Sequence, residues 1–164
     1  MKRSARREGF SLVELIIIMA IAGLIFAVVF AAFNYASNSR NDDARNEDAA
    51  RYLQAAQQWI TNNNGNLPKN VTNAQDIVST YITSNGSTSY ATPEGTPWSI
   101  RWGTGGPTSA GFLNNSEMLV YSPAACGTGG RHNHGPIVAF NYNQREVAVS
   151  FIYKSGVTAC YALQ

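Results

Sequence analysis

Apolar side chains are distributed along this chain in two regimes. Residues 15–33 are nearly all apolar, with no charge and no proline, whereas the chain after Tyr35 is rich in Asn, Ser, Thr and Gly. As a helix the first stretch covers roughly 28 Å at 1.5 Å per residue, close to the hydrocarbon thickness of a bilayer. The pattern then changes character rather than stopping. A charged run, Asn41-Asp42-Asp43-Ala44-Arg45-Asn46-Glu47-Asp48, leads into Ala49, Tyr52, Leu53, Ala56, Trp59 and Ile60 at helical spacing. That spacing predicts one buried stripe, with Arg45, Asp48, Arg51 and Gln58 on other faces. Neither proline nor glycine intervenes between Gly23 and Gly65. A single helix is therefore predicted over 11–61, apolar all round in its first half and one-sided in its second.

The segment Asn62-Asn63-Asn64-Gly65-Asn66-Leu67-Pro68 ends that helix, with a glycine as C-cap candidate and a proline soon after. A short helix is predicted over 74–81, with Asn73 as its N-cap. Residues 83–97, rich in Ser, Thr, Gly and Pro, read as a surface loop. Strand candidates follow at 98–102, 117–121, 137–142, 146–153 and 158–163, separated by turn signals such as Asn143-Gln144-Arg145 and Lys154-Ser155-Gly156. In the fourth run Val147, Val149 and Phe151 alternate with Ala148, Ser150 and Ile152, so one face is more apolar. The fold class expected is α+β: a long N-terminal helix whose second half packs against a small antiparallel sheet.

Charge sharpens this picture. The formal net charge of +2 is a property of the N-terminus, where Lys2, Arg3, Arg6 and Arg7 face a single Glu8. Without residues 1–9, Lys+Arg falls from 12 to 8 and Asp+Glu from 10 to 9. The remainder carries −1 and no basic patch, so an electrostatic grip on nucleic acid is not supported. The basic end reads as an orientation signal that keeps the N-terminus in the cytoplasm and places the residues after Asn34 outside. The apolar run exceeds a signal-peptide core and is not closed by an A-x-A cleavage pattern. Two cysteines, Cys126 and Cys160, lie in the exported part. They fit either one disulfide or two separate buried thiols.

Glu14 does not suit a plain anchor. It stands at the mouth of the apolar run, followed by Leu15-Ile16-Ile17-Ile18. A carboxylate entering a bilayer costs several kcal/mol unless it reaches headgroup water or a partner. Its surroundings, Gly9-Phe10-Ser11-Leu12-Val13-Glu14, follow a short basic leader and precede the apolar run. This arrangement resembles the prepilin processing motif of type IV pilins and pseudopilins.

The resemblance implies cleavage between Gly9 and Phe10 by a membrane prepilin peptidase, which also methylates the new N-terminus on Phe10. Glu14 is then the fifth residue of the mature protein. Its carboxylate is matched to the new ammonium of Phe10, in its own subunit or a neighbour, so that correct axial register is rewarded. Relatives often carry a glycine at the place of Gly23 and a proline about eight residues later, flanking a segment that unwinds on assembly. Here Ala31 holds the second place, so only Gly23 weakens the helix, by roughly 0.5–1 kcal/mol. A C-terminal cysteine pair is common in the family, as is the ladle-like shape of long helix and small head.

The sequence divides accordingly into a leader at 1–9, a hydrophobic transmembrane and assembly segment at 10–34, and a head at 35–164 that includes the amphipathic half of the helix. The function implied is that of a type IV pilin, polymerising into an extracellular filament for adhesion, surface motility or DNA uptake. A pseudopilin of a type II-like secretion or competence system is the nearest alternative. A single-pass anchored binding protein that does not polymerise is the other. The implied partners are itself and other pilins, the peptidase/methyltransferase, the inner-membrane assembly machinery, and lipid before assembly.

Catalytic chemistry is not signalled. The sequence holds no nucleophile–base motif, phosphate loop or paired-carboxylate signature, so no enzyme and no cofactor are expected. His132 and His134 offer two imidazoles but lack the third and fourth ligands of a metal site, and read as a solvated loop. Asn70-Val71-Thr72, Asn85-Gly86-Ser87 and Asn114-Asn115-Ser116 match a glycosylation pattern too short to be informative. Tyr90, Trp98 and Trp102 read as part of a half-buried sheet face.

Overall fold

Because nothing between residues 12 and 62 breaks the i to i−4 ladder, that whole stretch forms one helix, α1 (Leu12–Asn62). The structure is a computed structural model and describes residues 11–83, 87, 90–103, 114–124, 126, 146–153, 156 and 158–163. The contacts divide the protein into two units, 1–37 and 38–164. Among the described residues the first unit is helix alone. Its large apolar side chains lie open, from Leu12 and Ile16 to Phe26 (76 % exposed) and Phe33. This is the one described helix long and apolar enough to cross a membrane.

In the second unit α1 has a buried stripe. Ala49, Tyr52, Leu53, Ala55, Ala56 and Trp59 are covered, and Arg45 extends the same stripe by one turn. The helix ends as the Asn-Gly sequence dictates, with one change from expectation. The left-handed residue that first leaves the helix is Asn64 (φ 56°), and Gly65 (φ 77°) follows it. The Gly65 N–H then donates back to the Ile60 carbonyl at 2.9 Å, the long backward bond that satisfies a helix C-terminus.

The second helix, α2 (Val71–Ile77), begins three residues before the predicted start, and its N-cap is Asn70 rather than Asn73. The two asparagines share the work. Asn70 Oδ1 accepts from the Asn73 N–H at 2.9 Å, while Asn73 Oδ1 accepts from the Lys69 N–H at 3.1 Å. The first bond satisfies a helix-end donor and the second ties down the residue before the cap, so together they favour the earlier start. A π-helical turn at Val78–Ile82 completes the segment.

Four strands form one sheet in the order β1 (Ser99–Trp102), β2 (Glu117–Tyr121), β3 (Ala148–Ile152), β4 (Thr158–Ala162). The sheet is mostly antiparallel, as expected, with one exception. β1 runs parallel to β2, and the β2–β3 and β3–β4 pairs are antiparallel. The segment between β1 and β2, 103–116, is long enough for the crossover that a parallel pair requires. The strand candidate at 137–142 and its Asn143-Gln144-Arg145 turn lie outside the described residues.

Register places the core. One row of cross-strand partners runs Ile100, Met118, Phe151, Ala159, and the next Trp102, Val120, Val149, Tyr161. Both rows belong to the cluster that holds Tyr52, Ala56 and Trp59, so this face packs on the helix. The opposite face is also buried. Leu119, Tyr121, Ala148 and Cys160 form a second cluster there with Ala124. Residues 90–97, read as part of a loop from sequence, close with Trp98 into a tight hairpin. Trp98 N–H donates to the Tyr90 carbonyl at 2.8 Å, and the Thr92 and Thr96 hydroxyls meet at 2.8 Å.

Candidate functional site

The helical ladder starts where the apolar run starts, with the Leu15 N–H donating to the Ser11 carbonyl at 3.2 Å. Glu14 therefore sits in the first turn of α1. The positive end of the helix dipole favours a carboxylate there. Its side chain is exposed and is surrounded along the helix by exposed Leu12, Val13, Leu15, Ile17 and Ile18. Among the described residues no cation pairs with it. Gly9 and Phe10, the predicted cleavage and methylation positions, lie outside the described residues.

Gly23 is an ordinary helical residue. A Cβ there would meet nothing within 4 Å, and the helix continues through Gly23 and Ala31 without a break. Both positions stay helical because no proline removes a ladder donor.

Residues 4–30 match the prokaryotic N-terminal methylation motif. This motif is typical of type IV pilins and pseudopilins. The match spans Arg6 and Arg7 of the leader, Gly9, Phe10, Glu14 and Gly23, and ends within the apolar run. The methylation motif thus covers most of the first unit and leaves the head to be read from its own structure. No curated protein and no solved structure matches the sequence.

In the head, three polar residues of α1 that sequence reasoning turned outward or passed over are directed into the fold. Arg45 is 1 % exposed. Its guanidinium donates to Glu94 Oε2 at 2.8 Å, to the Ile152 carbonyl at 3.3 Å and to the Asn115 carbonyl, and lies 5.1 Å from the centre of the Trp98 ring. Asn46 Oδ1 accepts from the hydroxyls of Tyr153 at 2.5 Å and Tyr161 at 2.7 Å. Asp48 Oδ2 accepts from Trp98 Nε1 at 2.8 Å. The signal was in the spacing. Arg45 precedes Ala49 by four residues and Tyr52 by seven, which puts it on the buried stripe itself.

The electrostatics follow from burial and pairing. Burial pushes the Asp48 carboxyl up, against the lowering effects of the Trp98 indole, Arg51 and Arg45. At Glu94 burial also pushes upward, but the hydrogen bond and charge of Arg45 outweigh it, and the carboxyl lies below its ordinary value. The Tyr161 phenol is raised by burial and by Tyr153 beside it.

Cys126 and Cys160 are joined in a disulfide, with Cα atoms 5.8 Å apart. Cys160 lies on the sheet face turned away from the helix, next to Leu119, Tyr121 and Ala148. Trp98 is buried against Phe151, edge to face, and Tyr90 packs beside it. No group of three His, Cys, Asp or Glu side chains among the described residues is placed to hold a metal ion, and His132 and His134 are not among them.

Proposed function

We propose that this protein is a type IV pilin, a structural subunit that is anchored by its apolar helix and then polymerises into an extracellular filament. Pilin family members are structural rather than enzymatic. The observation that carries the reading is Glu14, a lone carboxylate on an otherwise greasy helix surface, five residues beyond Gly9. Cleavage between Gly9 and Phe10 creates a new amine at the same end of the helix. Pairing that amine with Glu14, within a subunit or across to a neighbour, removes the cost of burying either charge alone. Wrong axial registers leave both unpaired. N-methylation of Phe10 keeps its positive charge, so the pair survives the modification.

The partners in this reading are other copies of the same protein and related pilins, the prepilin peptidase/methyltransferase and the inner-membrane assembly machinery. Before assembly residues 10–34 lie in the inner membrane, with the basic leader inside and the head outside. The filament serves adhesion, surface motility or DNA uptake. The cysteine pair and the large polar head favour a pilin over a pseudopilin. Shearing cells and weighing the released subunit tests the proposal. The expected mass lacks residues 1–9, carries one methyl group and retains the disulfide. A subunit with the leader intact, or normal filaments from a Glu14→Ala strain, would falsify it. A processed subunit missing from sheared fibres but found in a periplasmic assembly would favour the pseudopilin instead.

A further inference from the structure

The C-terminal cap of α1 holds a reactive dipeptide. Asn64 is followed by Gly65, both are exposed, and the Asn64 amide group makes no hydrogen bond among the described residues. A glycine after asparagine leaves the next backbone nitrogen sterically open to attack Cγ of the asparagine. Nothing lies within 4 Å of the place a Gly65 Cβ would occupy. The same nitrogen, however, is engaged. Its N–H is donated to the Ile60 carbonyl at 2.9 Å, and both residues are held in left-handed conformation, at φ 56° and 77°. Two asparagine clips brace the turn from either side. Asn63 Nδ2 donates to the Trp59 carbonyl and Asn66 Nδ2 to the Asn63 carbonyl, each at 2.8 Å.

We infer that Asn64 is a site of spontaneous deamidation whose rate is set by opening of this helix cap. When the last turn frays, the Gly65 nitrogen loses its proton to water and bonds to Asn64 Cγ. The bond from Cγ to Nδ2 breaks and ammonia leaves, closing a succinimide. Water then opens the ring at either carbonyl, giving an aspartate or an isoaspartate. The product weakens the cap that restrained the reaction. A new carboxylate appears at the negative end of a helix whose last turn holds no basic residue. The isoaspartate linkage also lengthens the backbone between Asn64 and Gly65 and removes the geometry of the bond to Ile60. The reaction thus converts a tight helix stop into a frayed one, an age mark written into the head.

The full-length protein in detergent micelles, disulfide intact, is incubated at mildly alkaline pH and digested with trypsin. Asn64 falls in the peptide between Arg51 and Lys69, apart from the other Asn-Gly pair at Asn85 and Gly86. The expected result is a deamidation mass gain in that peptide, with isoaspartate detected by its methyltransferase. The rate should be roughly tenfold or more slower in the folded protein than in urea, because the opening step is uphill. Asn66→Ala, which removes one clip, should speed the folded reaction several-fold and leave the unfolded rate unchanged. No mass gain in either state overturns the site. Equal rates folded and unfolded, with Asn66→Ala indistinguishable from the parent, overturn the control by the cap.

Discussion

The Arg45 guanidinium lies 5.1 Å from the centre of the Trp98 ring, and the indole nitrogen of Trp98 donates to Asp48 at 2.8 Å, so one aromatic residue is held by a cation and an anion of the same helix. Arg45 and Asp48 are three apart on α1 and therefore share a face. Together they bind the hairpin 90–98 to the helix, with Glu94 at its turn closing on Arg45 at 2.8 Å. A full positive charge is tolerable in this position because the two terminal nitrogens reach a carboxylate and two carbonyls and a ring lies beside them, although Nε is buried without a hydrogen-bond partner among the described residues.

Glu94→Gln tests that balance. It keeps the shape and one acceptor but removes the charge opposite a buried guanidinium. Hydrogen bonds to charged groups contribute about 1.5–3 kcal/mol, and Glu94 is partly solvated, so a loss of about 1–2 kcal/mol is expected. Denaturant unfolding of the full-length protein in micelles measures it. An unchanged midpoint would show that the carbonyls of Asn115 and Ile152 suffice.

The two carboxyls make opposite contributions with pH. Glu94 has its folded pKa below the ordinary value, so its stabilisation is complete above the ordinary carboxylate range and is lost as pH falls through the folded value. Asp48 has its folded pKa raised, so its contribution is favourable below the ordinary value and is lost as pH rises through the raised one. Thermal unfolding across the acid range should therefore show a steep acid limb that Glu94→Gln flattens. Asp48→Asn, which keeps an acceptor for Trp98, should flatten the limb on the neutral side.

Gly103 follows β1 with its backbone directly over the Tyr121 ring. A Cβ there would overlap the ring carbons Cε1, Cδ1 and Cζ. Because Tyr121 is buried in the cluster on the far face of the sheet, the ring has little room to retreat. Gly103→Ala is expected to cost about 1–3 kcal/mol as an overpacking defect. Loss of the near-ultraviolet signal of a fixed tyrosine would accompany it. A neutral substitution would mean that the ring is free to turn.

The disulfide ties the region just after β2 to the last strand across a separation of 34 residues. Loop-closure entropy assigns such a cross-link about 3–4 kcal/mol. Paired Cys126→Ser and Cys160→Ser substitutions should lower the unfolding free energy by that order while leaving leader cleavage intact, since the proposed cleavage lies between residues 9 and 10. Defective cleavage in the double variant would show that the head is coupled to processing.

Much of the architecture was legible because it rests on local signals. The long helix follows from an unbroken run without proline, and β2 was placed residue for residue by an apolar run between turn-forming segments. The Asn70 cap was missed by three residues because two asparagines compete for one role and the bond from the Asn73 N–H to Asn70 Oδ1 decides it. The parallel β1–β2 pair was missed because strand direction depends on a crossover that leaves no periodicity in sequence. Arg45 was turned outward because charge was taken as a surface mark, although its spacing from Ala49 and Tyr52 placed it on the stripe.

By itself the sequence determined the long apolar run, the position of Glu14 at its mouth and the start and stop of α1 to within a residue, since these depend on hydrophobicity, charge and backbone chemistry within a few residues. Only the tertiary structure decided which polar side chains face inward, which strands run parallel and that Cys126 meets Cys160. Those outcomes depend on groups far apart in sequence satisfying one another, and a buried charge such as Arg45 becomes tolerable only once Glu94, Trp98 and two distant carbonyls have been brought around it.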